Sequence, residues 1–460
     1  MPRRPALWAA AVLLALASPS LAAAAKKPAA PRPALTPESF PVERYTMSNG
    51  LTVLLHRDAS VPAVCFWQWF KVGSRNERQG ITGLSHFFEH MMFNGSDNVP
   101  PKEYDRRLES VGAYSNAFTS RDMTAYYEEG GTASLETMLT VDADRMKSLL
   151  MLPDVLKSEV EVVREERRFR TDNSVPGMLD EALYSTAYFA SPYGWPVVGW
   201  MKDLERITRD EMLDYFKTYY APNNCILIVI GDFDTATIKD RLQRHFGAIP
   251  AQPPPPAPVN AEPEQRGERR VFVHYPSETV SFQVGYKAPS VASADLWPLQ
   301  VADAILSGGE SSRLHKALVY DQQIALSVGS SYFAGLEPTL FEFSVEMKPG
   351  KSAADGEAAL YAELERLAKD GPSERELQKA RNQVEASFVM GLKSNNGAGQ
   401  QLGYFEHVHG DYRRMYEAIE RYRAVSAADV KRVAMDVFDA KRRTVAILVP
   451  ESIGGVGGQP

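Results

Sequence analysis

Apolar residues recur along this chain with two different periods, and the switches between them outline its elements. Runs of β-branched and aromatic residues predict strands at 51–56, 65–72, 124–129 and 341–347. Apolar positions three and four apart predict long helices at 133–151, 153–171, 353–369 and 373–393. The two kinds do not alternate strictly enough for a doubly wound sheet. An α+β fold, with helices packed on largely antiparallel sheets, fits the pattern better.

The pattern also repeats. A helix at 208–220 and a strand at 225–230 close the first half, as a helix at 426–438 and a strand at 444–449 close the second. The strand-like run 63–73 precedes a helix in one half, and 280–287 precedes the helix 295–306 in the other, an offset near 220 residues. Between the halves, prolines crowd 249–258 and impose an extended, semi-rigid path expected to act as a hinge. Two domains therefore follow, similar to each other: an N-terminal one at 40–249 and a C-terminal one at 269–450, joined by a proline-rich linker at 250–268.

Residues 1–22 read as a secretory signal peptide: Arg3 and Arg4, an apolar run from 6 to 17, then Ser20, Leu21 and Ala22 as a cleavage site. That run is too short to span a bilayer, and no other stretch is long enough, so no stable membrane insertion is expected. The expected compartment is the periplasm of a Gram-negative bacterium. Removing the leader takes two arginines and no acid, so the net charge moves from −7 to −9, which offers no basic stripe for nucleic acid. Two cysteines, Cys65 and Cys225, are too few for a disulfide scaffold and sit in apolar runs, where buried thiols are expected and an oxidised pair is the alternative.

The chemistry concentrates in His86-Phe87-Phe88-Glu89-His90. On a helix His90 lies one turn beyond His86 and 40° around from it, with Glu89 beside both. Two imidazoles so placed can grip a zinc ion, which in a catalytic site takes a third protein ligand and keeps a position for water. Glu89 is placed to take the proton from that water. The order inverts the commoner H-E-x-x-H. Thr82 is the expected N-cap of this helix, and Gly95 its expected end. A third ligand should be a carboxylate on another element. The charged stretch 159–168 offers Glu159, Glu161, Glu165 and Glu166, and Glu159 shares a helix face with Glu166. His407 and His409, two apart, would face opposite sides of a helix and make a poor second site.

With Glu166 standing 76 positions after His90 in a segment of the form E-x-x-V-V-x-E-E-R, the chain resembles the M16 peptidase family of pitrilysins, insulin-degrading enzymes and mitochondrial processing peptidases. The resemblance implies two similar α+β domains, one zinc ion per chain on His86, His90 and Glu166, Glu89 as general base, and Glu159 as a supporting carboxylate that does not bind metal. It implies a zinc metalloendopeptidase acting on short or unfolded peptides. The segment 112–120 resembles the family's substrate-binding edge strand, which would place Asn116 and Ala117 against the peptide. The second half has no H-x-x-E-H; 307–314 stands there instead. Where relatives carry an arginine and a tyrosine that reach the substrate, this chain has Val319 and Leu326. That departure resembles the catalytic half of a two-subunit enzyme and implies a heterodimer with a zinc-less paralogue supplying both residues, with a homodimer as the alternative. A zinc-containing scaffold or peptide-binding subunit without catalysis is the rival reading.

Overall fold

Two mixed sheets carry the chain, and they repeat one strand order. The computed structural model describes residues 35–258 and 261–451, so the expected signal peptide lies outside the described residues. The first sheet contains β1 (Glu43–Thr46), β2 (Thr52–Arg57), β3 (Ala63–Phe70), β4 (Tyr114–Thr119), β5 (Thr124–Gly131) and β6 (Cys225–Gly231), ordered β1-β2-β6-β3-β5-β4. The second contains β7 (Arg269–Pro276), β8 (Ser281–Ala288), β9 (Ala325–Tyr332), β10 (Thr339–Met347) and β11 (Arg443–Glu451), ordered β7-β11-β8-β10-β9. Apart from β1, each strand of the first sheet has its counterpart in the second. Each sheet has one parallel pair, β2 with β6 and β7 with β11, and is otherwise antiparallel.

The predicted strands lie within a residue or two of the observed ones. The apolar runs of β3, interrupted only by Gln68, and of β6 are buried on both faces, as central strands require. In the first half the helices are α1 (Leu84–Met91), α2 (Glu103–Ser110), α3 (Leu135–Ser148), α4 (Pro153–Arg167), α5 (Val175–Ala187), α6 (Met201–Leu204), α7 (Arg209–Tyr219) and α8 (Ile238–Phe246). In the second they are α9 (Leu296–Ser307), α10 (Ala353–Asp370), α11 (Glu374–Gly391), α12 (Asn395–His407), α13 (Arg414–Ala424) and α14 (Ala427–Val437). Reciprocal bonds between Ser373 and Glu376 start α11, and Ser426 with Asp429 starts α14.

The halves exchange helices. From the second half, α12 lies on the first sheet, with Ala398, Leu402 and Phe405 in one core with Trp67, Trp69 and Ile228. Gly399 and Gly403, one turn apart, permit this approach, because a Cβ at either would overlap the indole of Trp67 or Trp69. In return α5 covers the second sheet, where Leu179, Leu183 and Ala187 meet Leu340, Ala446 and Leu448. Among the described residues, no helix is long and apolar enough to cross a membrane.

One expectation changes and one is met. The linker is tacked to the first half rather than free to hinge: Asn223 exchanges two hydrogen bonds with the Gln252 backbone at 2.9 and 3.0 Å. Farther along, the Glu262 carboxylate accepts the amides of Phe189, Ala190 and Ser191. Cys65 and Cys225 lie on neighbouring strands, but Cys65 faces Ile230 and Cys225 faces Phe70. Five residues of strand, roughly 17 Å, separate them, far beyond disulfide reach. Both are buried free thiols.

Candidate metal centre

Helix α1 is buried on most of its surface, with Leu84, Phe87, Phe88 and Met91 in the core of the first half. Its N-terminus is not capped by Thr82 as expected. Thr82 instead donates its hydroxyl to Asp203 at 2.7 Å, while Gly83 stands at the cap with φ +90°. The amides at the start of the helix go to a residue the sequence reading missed: Glu77 accepts from Gly83 and Ser85, each at 2.7 Å. A carboxylate there suits the positive end of the helix dipole. Burial nonetheless pushes the Glu77 carboxyl up to about 8, against those hydrogen bonds. At the other end the helix stops at Met91, and Gly95, with φ +107°, turns the chain three residues past the C-cap Met92.

One face of α1 carries His86, which is buried, and Glu89 and His90, which are half-buried, and α4 crosses beside it. One nitrogen of His86, one of His90 and one oxygen of Glu166 lie within 4.8 Å of one another. Glu166 Oε2 is 3.5 Å from His86 Nε2 and 3.1 Å from His90 Nε2. Donors bound tetrahedrally at zinc distances lie roughly 3.3 Å apart, so the spacing suits such an ion. Two imidazoles and one carboxylate are also the ligand types that zinc takes in catalytic sites. Glu165, the neighbouring alternative, points outward and pairs with Arg168.

The surroundings fix two of the three donors, whereas His86 Nδ1 is buried without a hydrogen-bond partner. His90 Nδ1 donates to Glu159 Oε1 at 2.8 Å, so that in the neutral imidazole Nε2 carries the lone pair. Glu159 in turn accepts from Asn94 Nδ2 at 3.0 Å, and the same amide nitrogen donates to the His90 carbonyl at 3.1 Å. Glu166 Oε1 is engaged by Arg170 Nε at 3.0 Å, from a π-helical turn (Arg168–Asp172) that follows α4. Hydrogen bonds with His86 and His90 hold the Glu166 carboxyl far below the usual range, against burial. Burial lowers His90, but the bonds to Glu159 and Glu166 outweigh it and raise it to about 9.

Glu89 is held from a different element. Thr119, the last residue of β4, donates its hydroxyl to Glu89 Oε2 at 2.6 Å. Strand β4 is the open edge of its sheet, as the resemblance of 112–120 implies. Asn116 and Ala117 both lie on it, and Asn116 Oδ1 accepts the Ala117 amide at 2.8 Å. Of the sites foreseen from sequence, His86, His90, Glu166 and Glu159 form one cluster, Glu89 adjoins it, and Asn116 and Ala117 lie on the strand that holds Glu89. Glu77, Asn94, Thr119 and Arg170 were missed. Only Asn94, four residues after His90, and Arg170, four after Glu166, had a spacing that could have flagged them.

The other positions singled out do different work. His407 Nε2 donates to the Asp122 carbonyl at 3.0 Å, and His409 stacks on Phe405. Burial lowers both imidazoles to about 4. Val319 packs against the second-half core, and Leu326 lies half exposed on β9.

Comparison with known proteins gives the family. The model described as insulinase, peptidase family M16, matches residues 52–199, and that of the peptidase M16 inactive domain matches 206–384. The zinc protease PqqE of Helicobacter pylori is 31% identical over 415 residues, covering 89% of this chain and 93% of its own. A solved protease structure from the same organism superposes with a TM-score of 0.86 at 30% identity, over 89% of this chain and 99% of that one. An M16 inactive-domain structure from Pseudomonas fluorescens, at 16% identity and TM-score 0.82 over 89% and 98%, shares the fold. With a relative this similar over nearly its whole length, the chain belongs to peptidase family M16.

Proposed function

We propose that the protein is a zinc-dependent endopeptidase that cuts short or unfolded peptides, with the metal held by His86, His90 and Glu166. The observation that carries this reading is the convergence of those three donor atoms beside a separately held carboxylate, Glu89. Zinc, when bound there, supplies Lewis-acid polarisation of the scissile carbonyl and makes water acidic enough to react near neutral pH. Glu89 takes the proton of the attacking water and passes it to the leaving amine. Thr119 keeps one Glu89 oxygen engaged, so the other is free for the proton. Glu159 keeps His90 in the tautomer that presents Nε2. The open edge of β4 offers main-chain groups to an extended peptide, which would pair with it once the Asn116 side chain releases the Ala117 amide.

Val319 and Leu326, in place of an arginine and a tyrosine, support a heterodimer with a zinc-less paralogue; a homodimer is the competing assembly. The leader-like residues 1–22 support a periplasmic location. A quenched peptide incubated with the zinc-loaded chain tests the central reading: even without a partner, weak cleavage should occur, and it should vanish in Glu89→Gln with zinc retained. Unchanged turnover by Glu89→Gln would refute it. Full activity of the chain alone as a monomer would remove the need for a partner.

A further inference from the structure

We infer that Asp122, acting with Tyr193 and Gly335, is the joint through which the second half positions the edge strand that holds Glu89. The inference rests on the peptidase reading above. A turn at residues 120–123 joins β4 to β5 and is closed by Ser120 N–H to the Met123 carbonyl at 2.8 Å. It begins immediately after Thr119, so its placement sets where the Thr119 hydroxyl meets Glu89.

Asp122 is 5% exposed, and its carboxylate points away from its own strand pair, with the Arg75 guanidinium 3.7 Å from Oδ1. Both carboxylate oxygens lie 2.7 Å from the Tyr193 hydroxyl, and Oδ2 also accepts the Leu336 amide at 3.0 Å. The Asp122 carbonyl accepts from His407 at the end of α12. Leu336 and His407 both belong to the second half. The Tyr193 hydroxyl, while donating to Asp122, accepts the Glu337 amide at 3.2 Å, so it ties the same loop a second time. Backbone approach at Gly335 makes this fit possible: a Cβ there would overlap the Tyr193 hydroxyl and stand 2.8 Å from Asp122 Oδ2.

A buried carboxylate satisfied from several directions has little freedom to drift. Displacing a catalytic group by about 1 Å costs on the order of 100-fold in rate. The half without histidine ligands thereby contributes to catalysis through strand placement. Asp122 touches neither peptide nor base and is a positioning residue.

The test uses the full chain and its Tyr193→Phe, Asp122→Asn and Gly335→Ala variants, followed by amide hydrogen exchange, zinc content and peptide kinetics. Exchange at residues 114–123 should quicken by roughly ten-fold or more in each variant, with α1, α4 and zinc content unchanged. KM should rise and kcat should fall, each by roughly three- to ten-fold, whereas a smaller folded fraction would lower kcat alone. Tyr193→Phe keeps the ring and its packing, so it decides the matter if Gly335→Ala fails to fold. Wild-type exchange at 114–123 in folded Tyr193→Phe and Asp122→Asn overturns the inference, active enzyme or not. Quickened exchange in the variants of an inactive wild-type chain would uphold the joint and count against the peptidase reading.

Discussion

In the first half, α1 follows β3 and meets α4, and the meeting point carries His86, His90 and Glu166. In the second half, α9 follows β8 and meets α11, and the meeting point is plain helix termination. There Lys379 Nζ and Gln383 Nε2 donate to the Gly308 carbonyl, just past the end of α9, at 3.0 and 2.9 Å. Side-chain donors commonly satisfy the last carbonyls of a helix in this way. No histidine lies on α9. One scaffold position thus gathers donors suited to a metal in one copy and only closes a helix in the other. The shared fold supplies a pair of helices in contact, and the residues placed at that contact decide what it does.

The contrast breaks most sharply at the base. Glu89→Gln should lower kcat/KM on a quenched peptide by about 100- to 10,000-fold, the usual worth of general acid-base catalysis. Glu310→Gln, an exposed glutamate just past α9, should leave turnover unchanged. Next comes the support of the ligands: Glu159→Gln should cost about 10–100-fold in activity or zinc affinity, because His90 loses the acceptor that fixes its tautomer. Competition with a chromophoric chelator reads that loss directly.

Exchange of helices between the halves makes a smaller, structural prediction. Gly403→Ala should lower unfolding free energy by about 1–3 kcal/mol in urea titrations, since the added methyl meets Trp69 where α12 crosses the first sheet. A pH-dependent effect is expected at Lys287, which burial lowers to about 7 while its side-chain nitrogen lies over the Tyr188 ring. Between about pH 7 and its unfolded value near 10.4, the unfolded chain holds more protons at this site, so stability rises with pH over that window. Lys287→Met should abolish that rise and add about 1 kcal/mol at pH 7, as apolar replacement of a buried charge often does. Chemical denaturation across pH 6–10 checks both.

Much of this was legible in the sequence for physical reasons. The His86-to-His90 spacing puts both imidazoles on one face of any helix, and strands as apolar as 225–230 have no alternative to a sheet interior. The repeat was visible because both halves end in the same helix and strand. What escaped were relations between distant segments. Glu77 caps α1 only because its loop folds back, Thr119 reaches Glu89 only through sheet pairing, and nothing in Gly399 or Gly403 announces that α12 crosses to the other half's sheet. The edge position of β4 entered through family resemblance, and local pattern alone gives no strand order.

The most direct test is the metal content of the purified chain, measured by elemental analysis after exposure to excess zinc and removal of the unbound ion. One zinc per chain is predicted for the wild type and for Glu89→Gln, with loss in His86→Ala and in Glu166→Ala. A wild-type chain that holds no zinc, or zinc that persists after both of those donors are removed, would contradict the account.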